Sequence, residues 1–146
     1  MKGFDALYRL ALALWVGGNA LFTLVLTPIL FRTEGRDTAA RIVGSFFPGY
    51  FRWGLACGAV ALLCRLAGPG MSTRLPVFLL AAMLTVTLFQ ACYVEPRAAA
   101  LKREIGSFEG TTKDHPLRRE FSRLHGVSAA CNLGVLAAGV LLVLLP

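Results

Sequence analysis

The chain has 146 residues, a net charge of +7 and a strongly apolar composition. Hydrophobic residues make up 56% of it and charged residues only 16%, whereas soluble domains carry about 45–50% and roughly 25%. The mean hydropathy is +0.65. A water-soluble domain of this size cannot bury so much apolar surface, because small domains bury a smaller share of their surface than large ones. The composition therefore excludes a soluble enzyme and predicts an integral membrane protein.

The first predicted membrane helix covers residues 7–31. It has no charged residue from Leu10 to Phe31, and a spanning helix needs about 20 apolar residues. A secretory signal has a shorter apolar region, of roughly 7–15 residues, followed by a small-residue cleavage site. No such site follows this segment, so we expect a helix that is retained.

Three further apolar segments, residues 49–66, 75–94 and 124–145, each reach or approach the length of a spanning helix. Polar segments with Gly, Pro and charged residues separate them. Together the four segments predict an all-α, integral membrane four-helix up-down bundle that forms one domain over residues 1–146. In the third loop, "RAAALKREI" and "PLRREFSRL" have helical spacing and mixed charge, which indicates that helices three and four extend beyond the membrane.

The distribution of basic residues predicts the orientation. The N-terminal end and the second loop carry four of them: Lys2, Arg9, Arg65 and Arg74. The first and third loops carry ten: Arg32, Arg36, Arg41, Arg97, Lys102, Arg103, Lys113, Arg118, Arg119 and Arg123. Because loops rich in Lys and Arg stay in the cytoplasm, we expect loops 32–48 and 95–123 to be cytoplasmic and both termini to lie outside a cell (inner) membrane.

Polar side chains inside the apolar segments predict a cavity. They are costly in lipid and mark ligand or ion pathways when they share a face. The cavity candidates are Asn19, Thr23, Gln90, His125, Ser128 and Asn132. The outer halves of the helices contain almost no polar residue, so we expect a cytoplasm-facing cavity closed by a dry outer plug. The alternative is that these residues only hydrogen-bond neighbouring helices and hold the bundle together.

A second group of residues is predicted to shape the cavity entrance. Its members are Pro28, Pro48, Tyr50, Arg52 and Glu95, all near the cytoplasmic ends of the helices. Two interpretations of Arg52 remain open at this point. It extends to the membrane surface, or it pairs with Glu95.

The sequence does not favour any cofactor. Imidazole can bind haem iron or a metal, so His125 with Cys92 and Cys131 forms a weak candidate metal site. None of the four cysteines lies in a CxxC pair, and they are expected to be small packing residues. Phosphate-binding, GxSxG and HExxH motifs are absent from the sequence, which argues against an ATPase, a hydrolase or a zinc protease, and no enzyme activity is expected.

Two rows of small residues predict close helix packing. One contains Gly54 and Gly58; the other contains Gly126, Ala130, Gly134 and Ala138. Small residues let membrane helices approach closely, either inside the bundle or in a homo-oligomer. The lipid bilayer is the expected partner of the apolar surface. The positive charge follows from membrane orientation, so nucleic acid is not expected as a partner.

Three motifs in order resemble the transmembrane protein 205-like family, also called domain of unknown function 4149. They are "LWVGGNALFTLVLTPILFR", "VGSFFPGYF" and "FSRLHGVSAACNLGVL". The resemblance implies a four-helix membrane domain of poorly defined biochemistry, with a eukaryotic branch associated with transport or efflux. The layout is also similar to copper-resistance and haem-binding membrane proteins, which use more intramembrane histidines. The motif positions are Asn19, Pro28, Phe31, Phe47, Pro48, Tyr50, His125 and Asn132.

These observations lead to three hypotheses of function. The first is a small oligomeric transporter or channel-like protein whose polar cavity takes a small ion or molecule. The second is a membrane haem- or metal-binding redox protein that uses His125. The third is a non-catalytic membrane scaffold whose basic cytoplasmic loop binds a partner.

Overall fold

The computed structural model of the protein describes residues 2–68 and 74–145, which form four long helices. They are α1 (Lys2–Thr33), α2 (Arg36–Ala67), α3 (Arg74–Ile105) and α4 (Pro116–Leu144). No strand occurs within these two ranges. Each helix is long and apolar enough to cross a membrane, so the prediction of an all-helical protein with four membrane helices is confirmed.

The helices are longer than the hydrocarbon core of a membrane. The first three have 32 residues each and therefore extend for about 48 Å at 1.5 Å per residue, whereas the hydrocarbon core measures about 30 Å. Part of each helix must project beyond the lipid. As predicted, helices α3 and α4 extend through residues 95–105 and 116–123 into the third connection, which shrinks to 106–115.

The predicted first loop, residues 32–48, is wrong in its extent. Helix α2 begins at Arg36, and only Glu34 and Gly35 separate it from α1. Hydropathy identifies the part of a helix that faces lipid. The helix itself continues beyond that part until residues of low helix propensity end it. The segment 36–47 contains residues with adequate helix propensity and no proline. Pro48 lies inside α2 without ending it.

The four helices form a closed ring. Each packs against the next along the chain, and α4 packs against both α3 and α1. We call the end with the connections 34–35 and 106–115 the basic end, and the opposite end, where the described chain starts and stops, the termini end. Which end faces the cytoplasm stays a prediction.

An apolar core fills the half of the bundle near the termini end. The ring of Trp15 is 3% exposed and lies against two glycines of α2. A Cβ at Gly54 would lie 2.9 Å from Trp15 Nε1, and a Cβ at Gly58 would lie 2.5 Å from Trp15 Cζ3. The row of Gly54 and Gly58 thus packs against Trp15 inside the bundle and is not available to a second copy.

The exterior of the bundle suits lipid. Large apolar side chains such as Leu63 and Phe78 are 64% and 68% exposed, which is unfavourable in water but not in hydrocarbon. Gly126 and Gly134 on α4 also face outward, since a Cβ on either would have no atom within 4 Å. A homo-oligomer through this second row of small residues stays a prediction.

Two helices contain wide π-helical turns near the basic end. They span Leu21–Leu26 in α1 and Gln90–Val94 in α3. Each is followed by a proline, Pro28 or Pro96, which lacks an N–H donor and clashes with the carbonyl four residues earlier. A wider turn relieves that clash. Such turns often occur at functional sites.

Candidate functional site

A cavity of about 440 Å³ lies between α2, α3 and α4 at the basic end. Its lining includes small and apolar side chains together with five polar or charged ones. The polar and charged residues are Glu95, Lys102, Arg103, His125 and Ser128. Small residues such as Ala40, Gly44, Ala98 and Ala99 create the space, because they leave the helices without large side chains at their closest approach.

A layer of polar side chains closes the inner end of the cavity. Ser128 Oγ donates a hydrogen bond to Gln90 Oε1 at 3.1 Å. One turn further, Asn19 Nδ2 donates to the Asn132 carbonyl oxygen at 3.2 Å. The side chains of Asn19, Gln90 and Asn132 are all at least nine-tenths buried. This layer links α1, α3 and α4 across the bundle.

Hydrogen bonds from α1 and α2 complete this polar layer. Thr23 Oγ1 donates to Asn19 Oδ1 at 2.9 Å, and the Tyr50 hydroxyl donates to Asn132 Oδ1 at 3.3 Å. The ring of Tyr50 stacks on Phe22 with centroids 4.5 Å apart. Aromatic rings therefore hold the Tyr50 hydroxyl in the layer.

The predicted cavity residues separate into two groups. His125 and Ser128 line the cavity, and the His125 ring lies parallel to Phe121 with centroids 6.3 Å apart. Four others form the layer beneath it instead of lining it: Asn19, Thr23, Gln90 and Asn132. Asn19 bonds with Thr23 and Asn132, and Gln90 bonds with Ser128. These bonds match the alternative interpretation, in which polar residues hold neighbouring helices together.

The predicted entrance residues also separate. Glu95 lines the cavity, whereas Tyr50 belongs to the polar layer. Pro28, Pro48 and Arg52 are exposed and do not line it. Among the described residues, ion pairs join Arg9 to Asp5 and Arg97 to Glu120. None joins Arg52 to Glu95, so the exposed position of Arg52 fits a side chain that extends to the membrane surface.

The weak metal candidates do not form a site. Cys92 is exposed and Cys131 is half-buried, and only His125 lines the cavity. Within residues 2–68 and 74–145, no group of three or more His, Cys, Asp or Glu side chains is placed to hold a metal ion.

Sequence reasoning missed the cavity residues that come from predicted loops. Lys102 and Phe121 lie on the extensions of α3 and α4, and Ala40 and Gly44 lie where the first loop was expected. Lys102 Nζ donates to the Ala40 carbonyl oxygen at 2.6 Å and so connects α3 with α2 at the mouth. One signal in the sequence could have indicated these cavity residues: Ala98 and Ala99 are followed at helical spacing by Lys102.

The connection 106–115 is attached to the start of α2 next to the cavity. Asp37 accepts hydrogen bonds from the Ser107 hydroxyl and the Phe108 backbone N–H, both at 2.6 Å. Gly106 lines the cavity and has φ of 71°, a conformation that glycine adopts readily. The ring of Phe108 is buried against Phe121, with centroids 4.8 Å apart.

The termini end contains one buried cation that the sequence assigned to the second loop. Arg65 is 9% exposed, and its guanidinium carbon lies 4.8 Å from the centroid of the Tyr8 ring. A cation over an aromatic face is stabilised by the quadrupole of the ring. Arg65 also lines a second cavity at this end, together with Asp5, Tyr8 and Arg9. The termini end is therefore not uniformly apolar, and its position outside the cell stays a prediction.

A comparison with protein families identifies a relationship. Residues 10–107 match the family described as a domain of unknown function (DUF4149). No solved structure matches the chain. The matched range includes Glu95 and Lys102 and ends before α4, so His125 and Asn132 lie outside it.

Proposed function

The chain belongs to the DUF4149 family, and from that premise we propose that it is a small membrane carrier that binds a small molecule in the cavity at the basic end. The assignment to the transmembrane protein 205 branch stays a prediction. The observation that carries the proposal is a cavity of about 440 Å³ whose lining reaches Ser128 but includes no residue of the apolar core around Trp15.

The closed end of the cavity argues for a carrier and against an open channel. Below Ser128 lie the buried polar layer and then the apolar core around Trp15. A continuous channel would need water along the whole path. A carrier instead holds its ligand at a site that opens to one side at a time.

The polar layer and the π-helical turns are the part of the bundle where we expect the helices to rearrange. The π-helical turn of α3 begins at Gln90, and that of α1 begins two residues after Asn19. Both residues are buried in the polar layer that closes the cavity. Hydrogen bonds between membrane helices contribute only about 0.6 kcal/mol each on average. A ligand that binds one arrangement of these helices more tightly than another can therefore shift their equilibrium.

The test measures from which side of the membrane Ser128 can be reached. In a variant without the native cysteines, Ser128→Cys is treated with methanethiosulfonate ethylsulfonate, which does not cross membranes. Intact cells and inside-out vesicles expose opposite sides. A carrier exposes this position to each side in turn, so we expect labelling in both preparations. Labelling from one side only contradicts the carrier.

Two further variants control this experiment. Ala99→Trp should fill the cavity and prevent the labelling of Ser128→Cys, because Ala99 lines the cavity wall. Ala82→Trp places the same side chain at an exposed position on the same helix and should leave the labelling unchanged. If both tryptophans act alike, the reagent does not reach Ser128 through the cavity.

A further inference from the structure

The charges of the cavity are separated along its length. Glu95 lies near the closed end, five residues after Gln90 of the polar layer. Lys102 and Arg103 lie near the mouth. Seven residues of helix separate Glu95 from Lys102, which places their Cα atoms about 10 Å apart along the axis, and both residues line the same cavity. Burial raises the pKa of Glu95 to about 7, and the nearby Lys102 ammonium lowers it by less, so the Glu95 carboxyl is mainly ionised above that pH. No ion pair within 4.0 Å joins the two side chains in the described residues.

The Lys102 ammonium group is held in position and still has N–H donors that can bind an anion. Its Nζ donates to the Ala40 carbonyl oxygen at 2.6 Å, and it would lie 3.3 Å from a Cβ at Gly44. The ammonium group is thus fixed beside α2 at the mouth. An ammonium carries three N–H donors, so the bond to Ala40 leaves donors for a bound anion.

The closed end offers hydrogen-bond acceptors to an ammonium group. The Glu95 carboxylate lines it. The Ser128 hydroxyl already donates its proton to Gln90, so its oxygen is left to accept. Phe47, Phe121 and Leu124 line the wall and give an apolar body a surface to contact.

We propose that the ligand is a small zwitterion whose ammonium group binds Glu95 and Ser128 and whose anionic group binds Lys102. This inference rests on the proposed ligand site and names its chemical class. A cation without an anionic group would be repelled at the mouth by Lys102 and Arg103. An anion without an ammonium group would meet the Glu95 carboxylate at the closed end.

The test compares four probes that differ in charge, with the full-length protein in lipid nanodiscs and isothermal titration calorimetry. L-leucine represents free amino acids, and phosphoethanolamine represents the head group of a phospholipid. Leucinamide lacks the carboxylate, and 4-methylpentanoate lacks the ammonium group. We expect one of the two zwitterions to bind at least tenfold more tightly than either singly charged probe. Which zwitterion binds identifies the source of the ligand.

Variants assign the two charges to their residues. Glu95→Gln should weaken zwitterion binding about tenfold and should reduce its advantage over 4-methylpentanoate, because the repulsion of the anion is removed. Lys102→Met should reduce the advantage over leucinamide instead. A merely structural role would weaken all probes equally. Glu104→Gln and Lys113→Met change charges outside the cavity lining and should change nothing.

The outcomes separate this inference from the carrier. The zwitterion proposal is overturned if leucinamide or 4-methylpentanoate binds as tightly as the zwitterions, or if no probe binds. Neither result affects the labelling of Ser128→Cys from two sides. If Ser128→Cys is labelled from one side only but the zwitterion still binds tenfold more tightly, the carrier proposal is overturned. The protein would then be a receptor that binds a zwitterion.

Discussion

At the residue scale, glycine has opposite roles at two positions of the same bundle. Gly58 is buried, and a Cβ there would lie 2.5 Å from Trp15 Cζ3 and 2.7 Å from Leu84 Cδ2. Gly134 is exposed, with no atom within 4 Å of an added Cβ. Sequence spacing assigned both residues to rows of small residues, but only the position of Trp15 distinguishes them.

This difference predicts opposite effects of the same substitution. Gly58→Ala should lower the free energy of unfolding by about 1–3 kcal/mol, because it overpacks the core. Gly134→Ala should raise it by up to about 1 kcal/mol, because alanine is the better helix former. Unfolding of the purified protein in mixed micelles, followed by circular dichroism, measures both values. Equal destabilisation by the two variants would place Gly134 in a packed interface.

At the scale of elements, the π-helical turn of α3 accommodates one residue more than a regular helix would hold. Deleting Ala91 should convert Gln90–Val94 to regular α-helix and keep the two flanking parts in register. Deleting Ala82, in the regular part of α3, should rotate one part against the other by about 100°. We expect a monodisperse protein from the first deletion and aggregation from the second, measured by size-exclusion chromatography. Aggregation of both variants argues against this account of the turn.

The connection 106–115 depends on one carboxylate of α2. Asp37→Ala removes both acceptors of the bonds from Ser107 and Phe108, so the connection should open more often and trypsin should cleave after Lys113 several-fold faster. Glu34→Ala removes an exposed carboxylate nearby and serves as the control. Gel analysis of a digestion time course measures the rates. Equal rates in the two variants would show that Asp37 does not hold the connection.

At the scale of the whole molecule, the described structure has two chemically different halves. The half near the termini end contains the apolar core, and the basic end holds the candidate ligand cavity and most of the charged residues. The positive-inside rule predicts that the basic end faces the cytoplasm. The cavity would then collect its ligand from, or deliver it to, the cytoplasm.

Cysteine labelling of intact cells tests this orientation. Gly3→Cys and Thr112→Cys are introduced separately into a variant without the native cysteines. A membrane-impermeant maleimide should label Gly3→Cys in intact cells, and Thr112→Cys only after the membrane is permeabilised. The reverse pattern would invert the orientation and place the cavity mouth outside.

The sequence by itself determined the number of membrane helices, because a bilayer requires a continuous apolar stretch for each crossing. It also indicated the helical extensions of α3 and α4, and it located the level at which polar residues gather. These features depend on residues that are close in the chain, so local patterns are sufficient to predict them.

Only the tertiary structure decided which polar residues line the cavity and which close it. Asn19 and Asn132 are 113 residues apart in the chain, and the bond between them depends on how α1 and α4 pack. Lys102 joined the site because helix α2 starts early enough to bring the Ala40 carbonyl oxygen within 2.6 Å of its Nζ. A hydropathy pattern shows where lipid contacts the chain. It does not show which side chains meet inside the bundle.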